Sequence, residues 1–399
     1  MKPDLKRLVG TGWALAAALV VVACAQVQPP SFTPMATIPT ERRTHCLGRF
    51  LIDLPADFQQ DSGPALAIRF YYGLDKDFET VDATMEPELF TPEQFNARVA
   101  ARYKELNETI NRATKGPMLL HAEKIASGAA LFRRHDDKIY DNIIQSEVHQ
   151  LVGQRYVRYQ QHSYDKKSSL ASINYRNIDP KPAEVRLKQI AAQLRPWNPQ
   201  SRDAQAGFCF QGVVFDIGQS NEATSFNFES GSAPDLRLEI EYNALAGQPS
   251  ESLFSRARRP PEPGPFRPRI DVPSIDVLRQ SKQALGGMKA QEVLATAPSE
   301  NARTAGSQSA YQQVFMAETD AKNQSVAQPY MFVLMITGES VIVGGKKIAP
   351  KGPSSISDLQ ALELWDQIFP SIRPRPGAVS VRTTESGEVA NGVDGALSK

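Results

Sequence analysis

Cys46-Leu47-Gly48-Arg49-Phe50-Leu51-Ile52-Asp53-Leu54-Pro55 has a counterpart far down the chain, Cys209-Phe210-Gln211-Gly212-Val213-Val214-Phe215-Asp216-Ile217-Gly218. In both, a cysteine is followed by a glycine, an apolar run, and an aspartate seven positions on. A second pair of segments closes the intervals that these two open. Gln189-Ile190-Ala191-Ala192-Gln193-Leu194-Arg195-Pro196 matches Gln367-Ile368-Phe369-Pro370-Ser371-Ile372-Arg373-Pro374. Chance yields either match alone, but both in the same order point to an internal duplication.

The order of elements inside the two intervals agrees with that. The first reads as strands at 50–54 and 66–72, then a helix opened by Thr91-Pro92-Glu93-Gln94. There Thr91 can cap the free amides, Pro92 suits the first helical position, and Gln94 completes a capping box. Phe95, Val99, Tyr103, Leu106 and Ile110 recur at three- and four-residue steps, so one face is expected to be buried. Strands at 129–132 and 148–159 follow, and a closing helix over 182–194 is expected to pack through Val185, Leu187, Ile190 and Leu194. The second interval reads as strands at 213–217, 225–228 and 236–242, then a helix over 275–285 stopped by Gly286-Gly287. Strands at 292–295, 311–317 and 330–337 come next, and a helix over 357–369. The nearly unbroken apolar run 330–336 predicts a central strand covered on both faces. The expected fold class is α+β: two tandem, related domains, 41–200 and 205–376, each a mainly antiparallel sheet packed with helices.

The chain has 399 residues, 41% hydrophobic and 22% charged, too apolar for disorder and too polar for a polytopic membrane protein. Forty-five Lys and Arg against 44 Asp and Glu leave a net charge of +1, so no overall field argues for nucleic acid. The apolar run Trp13 to Ala23 follows Lys2, Lys6 and Arg7 and is shorter than the roughly 20 residues of a membrane span, so 1–23 reads as a signal peptide. Val21-Val22-Ala23-Cys24 fits a bacterial lipobox, with Cys24 as the lipidated residue; an ordinary signal peptide cut near Ala23 or Ala25 is the alternative. Either way the protein is exported. Residues 24–40, rich in Pro and Thr, read as a tether, and 377–399 as a loose tail. In an oxidising compartment Cys46 and Cys209 are either a disulfide or two buried thiols.

Motifs for catalysis are scarce. There is no Gly-x-Ser-x-Gly elbow, phosphate loop or zinc-spaced cysteine pair, and the five histidines all lie in the first half. His135-Asp136-Asp137 is either an acid-base or metal cluster or a solvated turn after Arg133 and Arg134. Glu147 and His149 share a strand face and would need a third ligand to hold a metal; a half-exposed sheet surface is the plainer reading. His45, beside Cys46, is either a ligand or a packed imidazole. No cofactor is expected. One segment suggests recognition: 255–269 carries five arginines (Arg256, Arg258, Arg259, Arg267, Arg269), five prolines and Phe266. Proline keeps such a loop extended and lowers the entropy lost on binding, while arginine and aromatics are favoured interface anchors. A solvated insertion is the alternative.

Cys46-x-Gly48-Arg49-Phe50-Leu51-Ile52-Asp53-Leu54-Pro55, followed by a second unit opening Phe208-Cys209-Phe210-x-Gly212, resembles the two-domain, Tli-type immunity proteins that protect bacteria from type VI secretion lipase effectors. The resemblance covers 44–374. It implies a periplasmic protein without enzymatic activity that binds and neutralises a cognate phospholipase toxin, touching the membrane only through its N-terminal lipid. It assigns no contact residues. A periplasmic lipoprotein binding an envelope lipid, glycan or protein is the rival reading, and a hydrolase built around His149 a third.

Overall fold

The computed structural model describes residues 36–60, 67–73, 79–125, 128–165, 179–198, 206–217, 219–247, 249–258, 276–298, 311–322, 324–338, 341–343, 346–348 and 354–378. The signal peptide, Cys24, most of the tether, Arg259, Phe266, Arg267, Arg269 and nearly all of the tail lie outside them.

The first half opens with a hairpin, β1 (Arg42–Leu47) and β2 (Phe50–Pro55), and a short β3 (Phe58–Gln60). Strands β4 (Ala67–Tyr72) and β5 (Glu79–Leu89) precede helix α1 (Pro92–Glu108). A meander follows: β6 (Leu119–Ile125), β7 (Ala129–His135), β8 (Ile143–Val152) and β9 (Arg155–Tyr164). Helix α2 (Pro180–Gln193) and the two-residue β10 (Arg195–Pro196) close it. The second half repeats the plan with hairpin β11 (Phe208–Phe210) and β12 (Val213–Phe215), then β13 (Asn221–Ser230), β14 (Arg237–Asn243) and helix α3 (Leu253–Arg258). Its meander is β15 (Asp276–Leu285), β16 (Met288–Pro298), β17 (Tyr311–Thr319) and β18 (Tyr330–Ile336). A small hairpin, β19 (Val341–Val343) and β20 (Lys346–Ile348), leads to helix α4 (Asp358–Ile368) and β21 (Arg373–Pro374).

The halves join edge to edge. One antiparallel sheet runs β15-β16-β17-β18-β14-β13 and continues β4-β5-β9-β8-β7-β6, an order that reads the same from either end once the elements are matched. The seam is β13 against β4, with Glu222 opposite Phe70. Phe50, Ile52, Phe70 and Tyr159 of the first half and Phe208, Phe226, Tyr242 and Trp365 of the second belong to a single hydrophobic core. The central position expected for 330–336 is observed, β18 lying between β14 and β17.

Beneath the seam the halves exchange their last strands. β21 pairs with β2, Phe50 opposite Pro374 and Leu51 opposite Arg373. β10 pairs with β12 in the matching register, Val213 opposite Pro196 and Val214 opposite Arg195. The duplicated motifs thereby acquire a physical reason. Arg373 donates to Asp53 at 2.7 and 3.1 Å, and Arg195 lies 3.9 Å from Asp216, so the arginine ending each repeat faces the aspartate opening the other. Glycine is required where these hairpins meet. Gly48, at φ +66°, presses on the Phe208 ring, and a Cβ there would lie well inside van der Waals contact.

Helix ends follow the sequence. Thr91 Oγ1 accepts from Gln94 N at 3.2 Å, and Gln94 Oε1 accepts from Thr91 N at 2.8 Å. Ser357 and Gln360 repeat this reciprocal cap on α4.

Four expectations change. Residues 276–285, expected as a helix, form β15. Gly286 and Gly287 both take positive φ (59° and 83°) and turn the chain into a hairpin with β16, so pairing overrides helix propensity. The counterpart of α1 is instead the short α3, at the start of the arginine-proline segment. Residues 148–159, expected as one strand, are split by a turn at Gly153-Gln154 into β8 and β9. Tyr103, Ile110 and Val185, expected to be buried, are 45%, 53% and 55% exposed: α1 and α2 bury narrower stripes than the spacing of Tyr103 and Val185 suggests, and α1 ends at Glu108, before Ile110. Finally, the folded body extends past 41 and 376. Ala36 N donates to Ser355 O at 2.8 Å, and Ala378 is buried beside Gly207 and Arg49.

Candidate functional site

The acidic and histidine candidates resolve into structural roles. Glu147 and His149, expected on a half-exposed face, are buried on β8. Glu147 accepts from Arg102 Nε at 2.8 Å, Arg134 Nε at 2.9 Å and His149 Nε2 at 3.1 Å, Arg102 reaching down from α1. Burial pushes the Glu147 carboxyl up, but the hydrogen bonds from His149 and Arg102 and the charge of Arg134 outweigh it and hold the group far below the carboxylate range. Burial pushes the His149 imidazole down, so it stays neutral. A neutral ring that donates from Nε2 to the carboxylate accepts at Nδ1 from the Tyr156 hydroxyl, 2.5 Å away. Both oxygens of Glu147 and both ring nitrogens of His149 are spent on neighbours, which is the anatomy of an internal hydrogen-bond network.

His135 is likewise buried, at the end of β7 and not in a solvated turn, and burial lowers its pKa. Asp136 faces His162 at 3.4 Å, and the Asp137 carboxylate accepts from the amides of Ile139 and Tyr140. Among the described residues no group of three His, Cys, Asp or Glu side chains is placed to hold a metal ion. No described helix is long and apolar enough to cross a membrane.

Two features tie the halves together near the exchanged strands. Cys46 and Cys209 form a disulfide, their Cα atoms 6.1 Å apart, alongside the paired backbones of Gly48 and Cys209. Arg49, at the tip of the first hairpin, donates to the fully buried Glu222 of β13 at 2.5 and 3.3 Å, and the Tyr242 hydroxyl donates to the same carboxylate at 3.2 Å. Burial opposes the Arg49 charge, but Glu222 more than compensates and raises its pKa.

Beside the disulfide lies a cleft of about 460 Å³, walled by His45, Gln60, Arg155 and Trp197 from the first half and Gln211 from the second. His45 Nε2, Gln60 Nε2 and Gln211 Oε1 are shielded from solvent and have no protein hydrogen-bond partner. His45 also packs edge-on against Phe228, ring centroids 5.3 Å apart, and burial lowers its pKa. Gln211 holds φ +45°, a left-handed conformation that costs a non-glycine residue strain. Sequence reasoning singled out His45 and missed Gln60, Arg155, Trp197 and Gln211, which four separate elements bring together.

Of the arginine-proline segment, Arg256 and Arg258 fall in α3. Arg256 forms an ion pair with the buried Glu318 of β17, an internal role that the sequence did not signal. Arg259, Phe266, Arg267 and Arg269 lie outside the described residues.

Residues 43–193 match the N-terminal domain of Tle cognate immunity protein 4, and residues 203–377 match its C-terminal domain. The chain belongs to the Tle cognate immunity protein 4 family. The solved chains it resembles share the fold at low identity. An immunity protein, TplEi, of the type VI secretion system of Pseudomonas aeruginosa in its apo form is 20% identical with a TM-score of 0.59, over 84% of this chain and 98% of that one. A chain of the Tle4–Tli4 complex is also 20% identical, with a TM-score of 0.60, over 86% of this chain and 100% of that one. TplEi with a bound "L" peptide gives 20% identity and a TM-score of 0.55, covering 84% and 99%. No curated protein matches the chain.

Proposed function

We propose that this immunity protein is exported, held at the membrane through a lipid on Cys24, and neutralises a cognate type VI secretion phospholipase by binding it without turnover. The observation that carries the reading is the match of both immunity domains across nearly the whole folded body. A solved relative is in complex with an effector, Tle4. The absence of enzymatic activity is consistent with Glu147 and His149 being enclosed in their own network. Steric inhibition needs a rigid surface, since a stable interface buries about 1,600 Å² in total. The continuous sheet, the exchanged strands and the Cys46–Cys209 bridge supply that rigidity.

Two regions are assigned to the toxin. One is the cleft beside the disulfide, with its unpaired polar atoms. The other is the arginine-proline segment, of which Arg258, Arg259, Phe266, Arg267 and Arg269 are the contact candidates; Arg256 would contribute through the base of the loop.

The test is survival of cells expressing a cognate lipase effector in the periplasm, with and without this chain. Protection supports the reading, and killing at equal levels of both proteins refutes it. Replacing Arg258, Arg259, Arg267 and Arg269 with alanine, and leaving Arg256 on Glu318, should weaken protection while the protein stays folded; full protection would remove the segment from the interface.

A further inference from the structure

The two hairpin tips at the seam correspond in sequence but differ in what they meet. At the first, Gly48-Arg49, the Arg49 guanidinium closes on the buried Glu222 of the second half. At the second, Gln211-Gly212, the tip borders the cleft of about 460 Å³ beside the disulfide. Among the described residues that line this cleft there is a cation, Arg155, and no Asp or Glu.

Arg155, the first residue of β9, is half-buried. Its Nη1 donates to Pro87 O at 3.0 Å, which fixes the guanidinium on the wall, and among the described residues it has no carboxylate partner. Burial lowers its pKa, and no neighbouring charge opposes the shift. Arg49, Arg102 and Arg279, by contrast, each hold a buried carboxylate, that of Glu222, Glu147 and Glu292. A cation drawn out of water without a counter-charge loses hydration that an anion would restore.

The other walls restrict that anion. Gln60 Nε2, a donor, and Gln211 Oε1, an acceptor, are shielded from solvent and have no protein partner. A free carboxylate or sulfate ion satisfies Arg155 and Gln60 but brings no N–H for Gln211. One residue of a polypeptide brings both, an acid on its side chain and an amide on its main chain. A single guanidinium among neutral groups also balances one negative charge better than the roughly two of a phosphate. Size agrees, since the volume falls among the sites of about 300–1,000 Å³ that enclose far more than one small ion. Trp197 adds a flat apolar wall for an aliphatic stem.

We propose that the cleft is a carboxylate subsite for an Asp or Glu side chain of the effector, which pairs with Arg155 and Gln60 while its main-chain N–H donates to Gln211 Oε1. This rests on the effector-binding reading above and gives the cleft a ligand chemistry. The effector then supplies at the second hairpin tip the acid that Glu222 supplies at the first.

The experiment is titration calorimetry of the full-length protein with the purified cognate lipase effector, comparing wild type with Arg155→Gln and Gln60→Met. Kd should rise about tenfold or more for Arg155→Gln, as for the loss of one partner of an enclosed charge pair. Gln60→Met removes an amide that has no internal partner, so its thermal midpoint should hold while Kd rises, and it tests the site even if Arg155→Gln fails to fold. Changing the effector's surface Asp and Glu residues singly to Asn and Gln should find one position that costs as much as Arg155→Gln and costs nothing further when combined with it. If wild type binds no effector, the effector-binding reading fails, and the subsite with it. If wild type binds but neither variant changes Kd, or no acidic position couples to Arg155, that reading stands and the subsite is refuted. Inorganic phosphate competing as strongly as N-acetylglutamate N-methylamide, a minimal capped acidic residue, would overturn the proposal in favour of a free-anion site.

Discussion

Replacing Arg49 with methionine should be among the most damaging single changes outside the apolar core. Its side chain is 8% exposed and that of Glu222 is fully buried, so the ion pair is enclosed. Arg49→Met leaves a buried carboxylate with the Tyr242 hydroxyl, which cannot repay the lost hydration of a full charge. Breaking an enclosed pair from one side costs about 3–5 kcal/mol. The lost hydrogen bond from Arg49 to the Ala378 carbonyl adds about 1 kcal/mol. Glu222→Leu should cost a similar amount by stranding the guanidinium. The double variant removes both charges and should recover most of the loss, since apolar replacements of enclosed pairs are close to neutral. Urea denaturation followed by circular dichroism measures all four proteins, and the coupling is the difference between the double and the summed singles. Because Arg49 is in one half and Glu222 in the other, a single cooperative transition is expected throughout. Single variants losing less than about 1 kcal/mol, or a double variant as damaged as the two singles summed, would refute the claim that this pair holds the seam as an enclosed charge couple.

Acid should destabilise the protein through Glu147. Its folded-state pKa is depressed, so its stabilisation is fully present above the unfolded value of about 4.3 and is lost as pH falls below that. Glu147→Gln should therefore lower stability at pH 7 and flatten its decline below about pH 4.5, read from denaturation midpoints across pH; a parallel decline in both proteins would contradict it. Replacing Cys46 and Cys209 with serine opens a bridge across a sequence separation of 163 and should cost about 2–5 kcal/mol. Equal stability with and without reductant would show that the bridge does not form. Gly48→Val should cost more than about 3 kcal/mol, because it adds a clash with Phe208 to a forbidden φ; thermal melts unchanged from wild type would refute that.

The duplication was legible because the residues that carry it do paired work. Asp53 and Asp216, and Arg195 and Arg373, recur since each faces its opposite number across the seam. What a repeat search does not reveal is that these partners are exchanged, because similarity of segments carries no information on which copy a strand joins. The helix expected over 275–285 failed for a related reason. The segment Asp-Val-Leu-Arg-Gln-Ser-Lys-Gln-Ala-Leu has good helix formers, and only the pairing with β16 settles its form. Within the candidate sites, His45 and the arginines were visible as residue types. The cleft was not, since Gln60, Arg155 and Gln211 are ordinary polar residues until three separate parts of the fold bring them to one wall. Ile110 was read as core from its period, and the buried Asn111 that pins its loop leaves no periodic trace.

The exchange of final strands also governs when the protein can exist. Hairpin β1–β2 is among the first parts of the body to be synthesised, yet its third strand is Arg373–Pro374, among the last. The first half thus cannot reach its native edge while the second is still being made, whatever its own stability. Translation of the body must finish before the fold can close, a schedule compatible with a chain crossing a membrane unfolded. The same closure limits how such genes can recombine: a first half spliced to a foreign second half inherits a stranger's β21 and a stranger's partner for Asp53. New specificities are then more readily acquired on loops than by shuffling halves, and a nonsense codon as late as residue 372 would disable the beginning of the protein as surely as its end.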